Sequence, residues 1–351
     1  MITSEPFGFL PDGRLIELYT LSNGNGMTLK AMTFGGIVTE LRVPWEKNKP
    51  PVDIVLGFNS LANYLAGHPF FGAITGRVAG RLTAGTFTLD GKIYQLALND
   101  PPNHLHGGVV GFDKRVWHAE IVEDTADSSS VRFTYTSLAG EEGYPGQVEV
   151  AVTYTLTGDN QFVVNQEATT TESTPLSLTH HSYFNLAGEG QGTIEDHVLQ
   201  IFSDQFVPAD EAMTLSGKLA SVTGQGNDFT SPTKVGDAIP HLWKKHGDTY
   251  KIKRQSPDAL EPAAKLSLPA MGRVMEVLTT ESWIQFYTGV SLDGSLVGKT
   301  GVPYRAHAGL CLECEGYPDG VNRPEIDPFI LRPGEKYRQK TVYKFSSLPQ
   351  V

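Results

Sequence analysis

The chain has 351 residues, 40% of them apolar and 19% charged, with 37 glycines, a balance that supports a sizeable packed core and excludes global disorder. Thirty-nine acidic against 28 basic side chains leave a net charge of −11, a surface that repels phosphate backbones and anionic lipid, so neither a nucleic-acid nor a membrane partner is expected. Two cysteines are too few for a secreted disulfide scaffold, the start Met1-Ile2-Thr3-Ser4-Glu5-Pro6 lacks a basic, then apolar leader, and no apolar run reaches 18 residues. A cytoplasmic location is the expectation.

In chain order, Ser60-Leu61-Ala62-Asn63-Tyr64-Leu65 is the best candidate for a helical turn or two, and long amphipathic helical stretches are absent. Asp90-Gly91 between Thr86-Phe87-Thr88-Leu89 and Lys92-Ile93-Tyr94-Gln95-Leu96 predicts a hairpin, because a type I′ turn needs positive φ at both central residues. The acidic, serine-rich stretch from Val122 to Ser130 reads as a loop. Val131, Phe133 and Tyr135 alternate with polar residues, as do Val148, Val150, Val152, Tyr154 and Leu156, the period of half-buried antiparallel strands. Gly158-Asp159-Asn160 marks a tight connection, and Lys244 to Ala264 mixes charge with proline as a second loop.

Strands without intervening helices predict an all-β protein of antiparallel sheets packed face to face. No linker, charge block or fixed-period repeat divides the chain, so one domain over residues 1–351 is expected.

Four of the ten histidines fall in two short motifs, Asn103-His104-Leu105-His106-Gly107-Gly108 and Thr179-His180-His181-Ser182-Tyr183-Phe184-Asn185. If the first is extended, His104 and His106 share a face, whereas His180 and His181 must point to opposite faces. In Leu310-Cys311-Leu312-Glu313-Cys314-Glu315, Glu313 shares a face with Cys311 and Glu315 and lies between apolar neighbours. Partial desolvation of that kind raises a carboxyl pKa and makes a better base. Cys311 and Cys314, three apart on a strand, face opposite ways and are poorly placed to bridge. For the histidines the alternative is a packed or hydrogen-bonded ring, and for Glu313 a surface acid on an edge strand. The His-Leu-His pair invites a metal reading, but Gly107-Gly108-Val109-Val110-Gly111 follows where a metal-binding jelly roll would place a carboxylate, so no metal is expected. The phosphate-binding loop, the dinucleotide-binding glycines and the nucleophile elbow are all missing from the sequence.

The chain resembles the aldose 1-epimerases (galactose mutarotases). The resemblance runs through Phe34-Gly35-Gly36-Ile37, Gly76-Arg77-Val78-Ala79-Gly80-Arg81, the two histidine motifs, Gly111-Phe112-Asp113-Lys114 and Gln285-Phe286-Tyr287-Thr288-Gly289. It continues through Leu312-Glu313, Pro318-Asp319, Asn322-Arg323-Pro324 and Leu331-Arg332-Pro333-Gly334-Glu335. It implies a large single-domain β-sandwich of the galactose mutarotase type, a monomer or homodimer, binding a monosaccharide in an open cleft. It also implies interconversion of α and β anomers of galactose or glucose without a cofactor, by ring opening, rotation of the C1 carbonyl and reclosure. By motif, Glu313 is the implied base, His181 the acid, and His106 a second histidine that polarises the ring oxygen. Arg81, Gln285 and Asp248 match positions that bind substrate hydroxyls. His104 and, by its position, Gly80 are counted with that set.

Four places depart from the family pattern and bear on sugar preference. Gly80 stands where the family commonly has Asn, Thr249 follows Asp248 in an altered block, Val290 replaces a frequent Asn, and Cys314-Glu315 stands for Thr-Gln. Two other functions are compatible with the same fold: a non-catalytic carbohydrate-binding or regulatory protein, and an epimerase of a sugar phosphate or another cyclic hemiacetal, for which Arg305 and Arg323 are candidate phosphate ligands.

Overall fold

A computed structural model describes residues 1–46, 48–125, 127–256 and 258–348. Every strand ladder among the described residues is antiparallel. The N-terminal 53 residues form a meander of five sequential strands, Ile2–Phe9, Leu15–Ser22, Thr28–Met32, Val38–Val43 and Val52–Asp53. A nine-stranded sheet begins with His118–Asp124, Ser128–Ser137, Val148–Thr157 and Gln161–Thr170 side by side. The last long strand, Tyr337–Ser347, then inserts between Gln161–Thr170 and Arg273–Thr279, and Glu261–Leu268, Val198–Ile201 and Thr233–Lys234 complete the sheet. A further five-stranded sheet runs Ala220–Ser221, Gln205–Val207, Thr249–Lys251, Trp283–Tyr287 and Cys311–Glu315.

Period two decides which side chains fill the core. On Val148–Thr157 the residues Val148, Val150, Val152, Tyr154 and Leu156 are buried, while Glu149 is exposed. They pack in one apolar cluster with Leu29 and Leu41 of the meander, Val277 and Tyr343 of the large sheet, and Ile284, Phe286 and Leu312 of the third sheet. All three sheets therefore share a core.

The expected connections divide between success and correction. Thr86–Leu89 and Lys92–Gln95 pair across Asp90 (φ 49°) and Gly91 (φ 79°), the two positive φ angles of the expected turn. Leu61–Leu65 is a short helix whose Ser60 side chain accepts from the Asn63 N–H, and Val148–Thr157 turns into Gln161–Thr170 through Gly158-Asp159-Asn160. The expected loop from Val122 to Ser130 is instead mostly strand. His118–Asp124 and Ser128–Ser137 pair through Asp124 and Ser129, and Ala126 of that stretch lies outside the described residues. Its polar composition reflects an exposed edge strand, not a break in the ladder. The expected loop from Lys244 to Ala264 contains the strand Thr249–Lys251 and the start of Glu261–Leu268; Pro257 lies outside the described residues. No helix among the described residues is long and apolar enough to cross a membrane.

Candidate active site

Three strands lay a row of polar side chains across the face of the third sheet. Register pairs Thr249 with Gln285 and Gln285 with Glu313, so all three project from one face at one level. Thr249 Oγ1 donates to Gln285 Oε1 at 2.5 Å, and the Gln285 amide N donates to the Phe286 carbonyl at 2.7 Å, which fixes the amide's orientation. Beside this row the short strand Thr179–His181 is tied to Cys311–Glu315 by the Thr179 hydroxyl, which donates to the Cys314 carbonyl at 2.9 Å. His181 Nε2 then lies 3.3 Å from Glu313 Oε2.

The His181 ring is clamped between apolar surfaces. Tyr183 stacks on it at 5.3 Å and 28°, and Phe70 covers it at 5.7 Å and 32°. The Cys311 sulfur, kept as the thiol by burial, sits 3.6 Å from His181 Nδ1 and accepts from its N–H, which leaves the Nε2 lone pair facing Glu313. His180, on the opposite face, is core: its Nε2 lies 2.7 Å from the Ser182 hydroxyl and its ring packs on Phe162 and Tyr154.

His106 arrives from a different element. Arg81–Leu82 and His104–Leu105 form a two-stranded ladder in which Leu105 pairs with Arg81. The chain then turns sharply: His106 has φ 49° and Gly107 φ 87°, and a Cβ on Gly107 would lie 1.7 Å from the Gly76 carbonyl oxygen. The expected extended segment therefore ends before His106, and its two histidines separate. His106 faces His181 edge-on at 5.1 Å, while His104 is fully buried with Nδ1 at the Ala97 carbonyl and Nε2 at the Tyr144 hydroxyl. The Gly80 backbone N–H donates to His106 Nδ1 at 3.2 Å, which assigns the ring proton to Nε2.

Around these groups lies a cleft of about 340 Å³, of the size small-molecule sites occupy. Arg81, Gln285, Gly80, Thr249, His246 and Glu315 line it together with Glu313, His181 and His106. Arg81 is held by Asp100, Nε to Oδ2 at 2.7 Å, and His246 packs on Tyr287 with ring centroids 4.4 Å apart. One expected contact is corrected and another is placed at the cleft's edge. His104 does not line the cleft, since both its ring nitrogens are engaged behind it. Asp248 is one residue out of step with the polar row; it faces a small hollow that shares Arg81, His246, Thr249 and Gln285 with the cleft, and there its Oδ2 accepts from the Asn227 amide at 3.0 Å. Neither Arg305 nor Arg323 lines the cleft.

His246 and the aromatic clamp were not singled out by sequence, and Thr249 and Glu315 entered only as departures from the family pattern that bear on sugar preference. Thr249 had a signal, because strand alternation sets it apart from Asp248, but only the pairing with Gln285 fixes which of the two faces inward.

Burial governs the electrostatics. It pushes the Glu313 carboxyl well above the ordinary range, with Arg81 opposing, and pushes the His181 imidazole down to about 4. His106 and His246 are likewise pushed down, the latter to about 3, and are neutral near pH 7. Glu313 and His181 thus hold one proton between them over the neutral range, and their 3.3 Å contact lets it sit on either partner. One group that takes a proton and one that gives a proton are what such a pair supplies. The ligand-capable atoms of His106, His181 and Glu313 also lie within 4.8 Å of one another, a donor set of two imidazoles and a carboxylate that could hold a divalent cation.

Sheet architecture and cleft define a β-sandwich acid–base protein with a site for a small polar ligand. The aldose 1-epimerase family profile matches residues 17–344, and the chain belongs to that family. It is 43% identical over 350 residues to galactose mutarotase of Sus scrofa, covering 98% of each chain. Among solved structures it is similar to a galactose 1-epimerase from Lactobacillus acidophilus, with a TM-score of 0.87, 26% identity and 99% of each chain covered. An aldose epimerase homologue from C. elegans gives a TM-score of 0.85 at 30% identity over 94% of this chain and 98% of that one.

Proposed function

We propose that the chain interconverts the α and β anomers of a free aldohexose, galactose or glucose, by acid–base ring opening that needs no cofactor. The observation that carries this reading is the buried Glu313–His181 contact at 3.3 Å on a cleft large enough for a hexose. Opening a cyclic hemiacetal requires removal of the C1 hydroxyl proton and protonation of the ring oxygen. Glu313 as carboxylate takes the first, and His181 as imidazolium gives the second. That charge-separated form differs from the neutral pair only in where the single shared proton sits. His106, neutral with its proton on Nε2, donates a hydrogen bond to the ring oxygen as negative charge develops there. The C1 carbonyl of the open aldehyde rotates, and reversal of the two transfers closes either anomer. Arg81, Gln285 and Thr249 read sugar hydroxyls, and the Gly80 N–H acts indirectly by orienting His106.

Each positioned proton transfer contributes about 10²–10⁴-fold, enough for a reaction that already proceeds slowly in water. The sugar-phosphate alternative has little support: the cleft's one arginine is paired with Asp100, and a phosphate would meet Glu313 and Glu315. We further propose that the chain acts as one domain in the cytoplasm. Polarimetry of freshly dissolved α-D-galactose and α-D-glucose is the test. The protein should speed the approach to the anomeric equilibrium well above the buffer rate; tight sugar binding by calorimetry with no acceleration would instead favour a binding protein.

A further inference from the structure

Acids outnumber bases in the cleft: Asp100, Glu313 and Glu315 face it with one guanidinium, Arg81, which Asp100 already pairs. Burial pushes the imidazoles His106, His181 and His246 toward neutrality and the carboxyls of Glu313 and Glu315 toward their protonated forms, so an acid there is ionised most readily where a cation comes to meet it.

Anomer interconversion uses Glu313 and gives Glu315 nothing to do. Glu315 lies two residues further along the same strand, hence on the same face, and is 1% exposed. Its Oε2 has no hydrogen-bond partner among the described residues. Burial, with the neighbouring Glu313 and Glu281 carboxyls, pushes its proton affinity well above the ordinary range, and Arg81 opposes. A buried polar atom left open in this way is unfavourable unless a ligand satisfies it. Directly beside it is Gly80, at φ 71°. A Cβ there would come 2.9 Å from Pro318 and 3.3 Å from Glu315 Oε1, so the glycine leaves the approach from the cleft to Glu315 clear.

We propose that Gly80 and Glu315 form a subsite for a protonated amino group, and that the cleft takes aminohexoses in preference to neutral aldohexoses. This rests on the mutarotase reading and names the substrate class of the same site. An ammonium brings three donors, satisfies the open oxygen, and supplies the positive charge that favours an ionised Glu315 against its burial. A hydroxyl satisfies the oxygen but supplies no charge, and a phosphate brings charge of the wrong sign.

The experiment compares D-glucosamine and D-galactosamine with D-glucose and D-galactose on the full chain, by polarimetry and by calorimetry, at about pH 6 where the amine is cationic. For the unmodified protein, kcat/KM and affinity should favour the aminohexose over the hexose of the same configuration by about tenfold or more. In Glu315→Gln that ratio should fall by about tenfold, whatever the absolute rate, and Glu315→Asp, which keeps the charge, should retain part of it. A ratio at or below one in the unmodified protein, or a ratio that Glu315→Gln leaves intact, overturns the subsite. Neutral sugars turned over with no preference for the ammonium overturn the subsite alone. A Glu315-dependent preference in binding with no acceleration of any sugar overturns the mutarotase reading and leaves the subsite standing.

Discussion

Glu313 and His181 have their proton affinities moved toward each other's usual place by one cause, burial in the cleft floor. The active form carries one proton on the pair. Adding a second requires protonating a neutral His181 beside a protonated Glu313, which occurs only as pH falls toward about 4. Removing the one proton requires pH to rise through the raised Glu313 value. The expected profile of kcat/KM, after subtraction of the buffer rate, is a plateau through the weakly acidic and neutral range, with an acid limb below the ordinary histidine pKa and an alkaline limb above the ordinary carboxyl range. A single rise through the unperturbed histidine value near 6.5, with no alkaline limb, would contradict the shared proton. At this scale the sequence was legible where period two governs. His181 and Glu313 face the cleft and His180 and Cys314 face the core, as alternation requires. It was not legible at His106, whose φ of 49° breaks the period, nor at Phe70 (φ 60°), whose clamp on His181 comes from a loop with no pattern to announce it.

Pairing between elements selects which candidates meet. The row Thr249, Gln285, Glu313 exists because three strands are in register, and a slip of one residue would present Asp248 in place of Thr249. Motif matching located the block, and the pairing of Thr249 with Gln285 decides which of its residues joins the row. The Gly-Arg-Val-Ala-Gly-Arg segment shows a similar division of labour. Arg77 is buried and donates to Ser137, Leu138, Pro145 and Gly146, joining loops behind the cleft, while Arg81 faces it. Two glycines at similar φ test how much the His106 turn depends on close approach. Gly107 (φ 87°) has the Gly76 carbonyl where a Cβ would go, and Gly91 (φ 79°) has open space. Gly107→Ala should lose at least about 3 kcal/mol in urea unfolding, and Gly91→Ala only about 1 kcal/mol. Equal losses would show that φ alone, and not the packing of the turn, holds His106 in place.

Across the whole molecule, the strand Tyr337–Ser347 pairs on one side with Gln161–Thr170 and on the other with Arg273–Thr279, so strands from distant parts of the chain depend on each other. The three sheets also share an apolar cluster. We therefore predict one cooperative unfolding transition, coincident by far-ultraviolet dichroism and tryptophan fluorescence; two separated transitions would contradict a single folding unit. The all-β class was legible from alternation alone. The strand order was not, because pairing partners more than a hundred residues apart leave no local pattern. The claim on which everything else depends is that Glu313 is the base. Polarimetry of fresh α-D-galactose with Glu313→Gln, which keeps the shape and removes the proton acceptor, tests it most directly. The predicted result is a folded protein whose kcat is lower by about 10²–10⁴-fold. A folded Glu313→Gln protein that anomerises the sugar as fast as the unmodified one would contradict it.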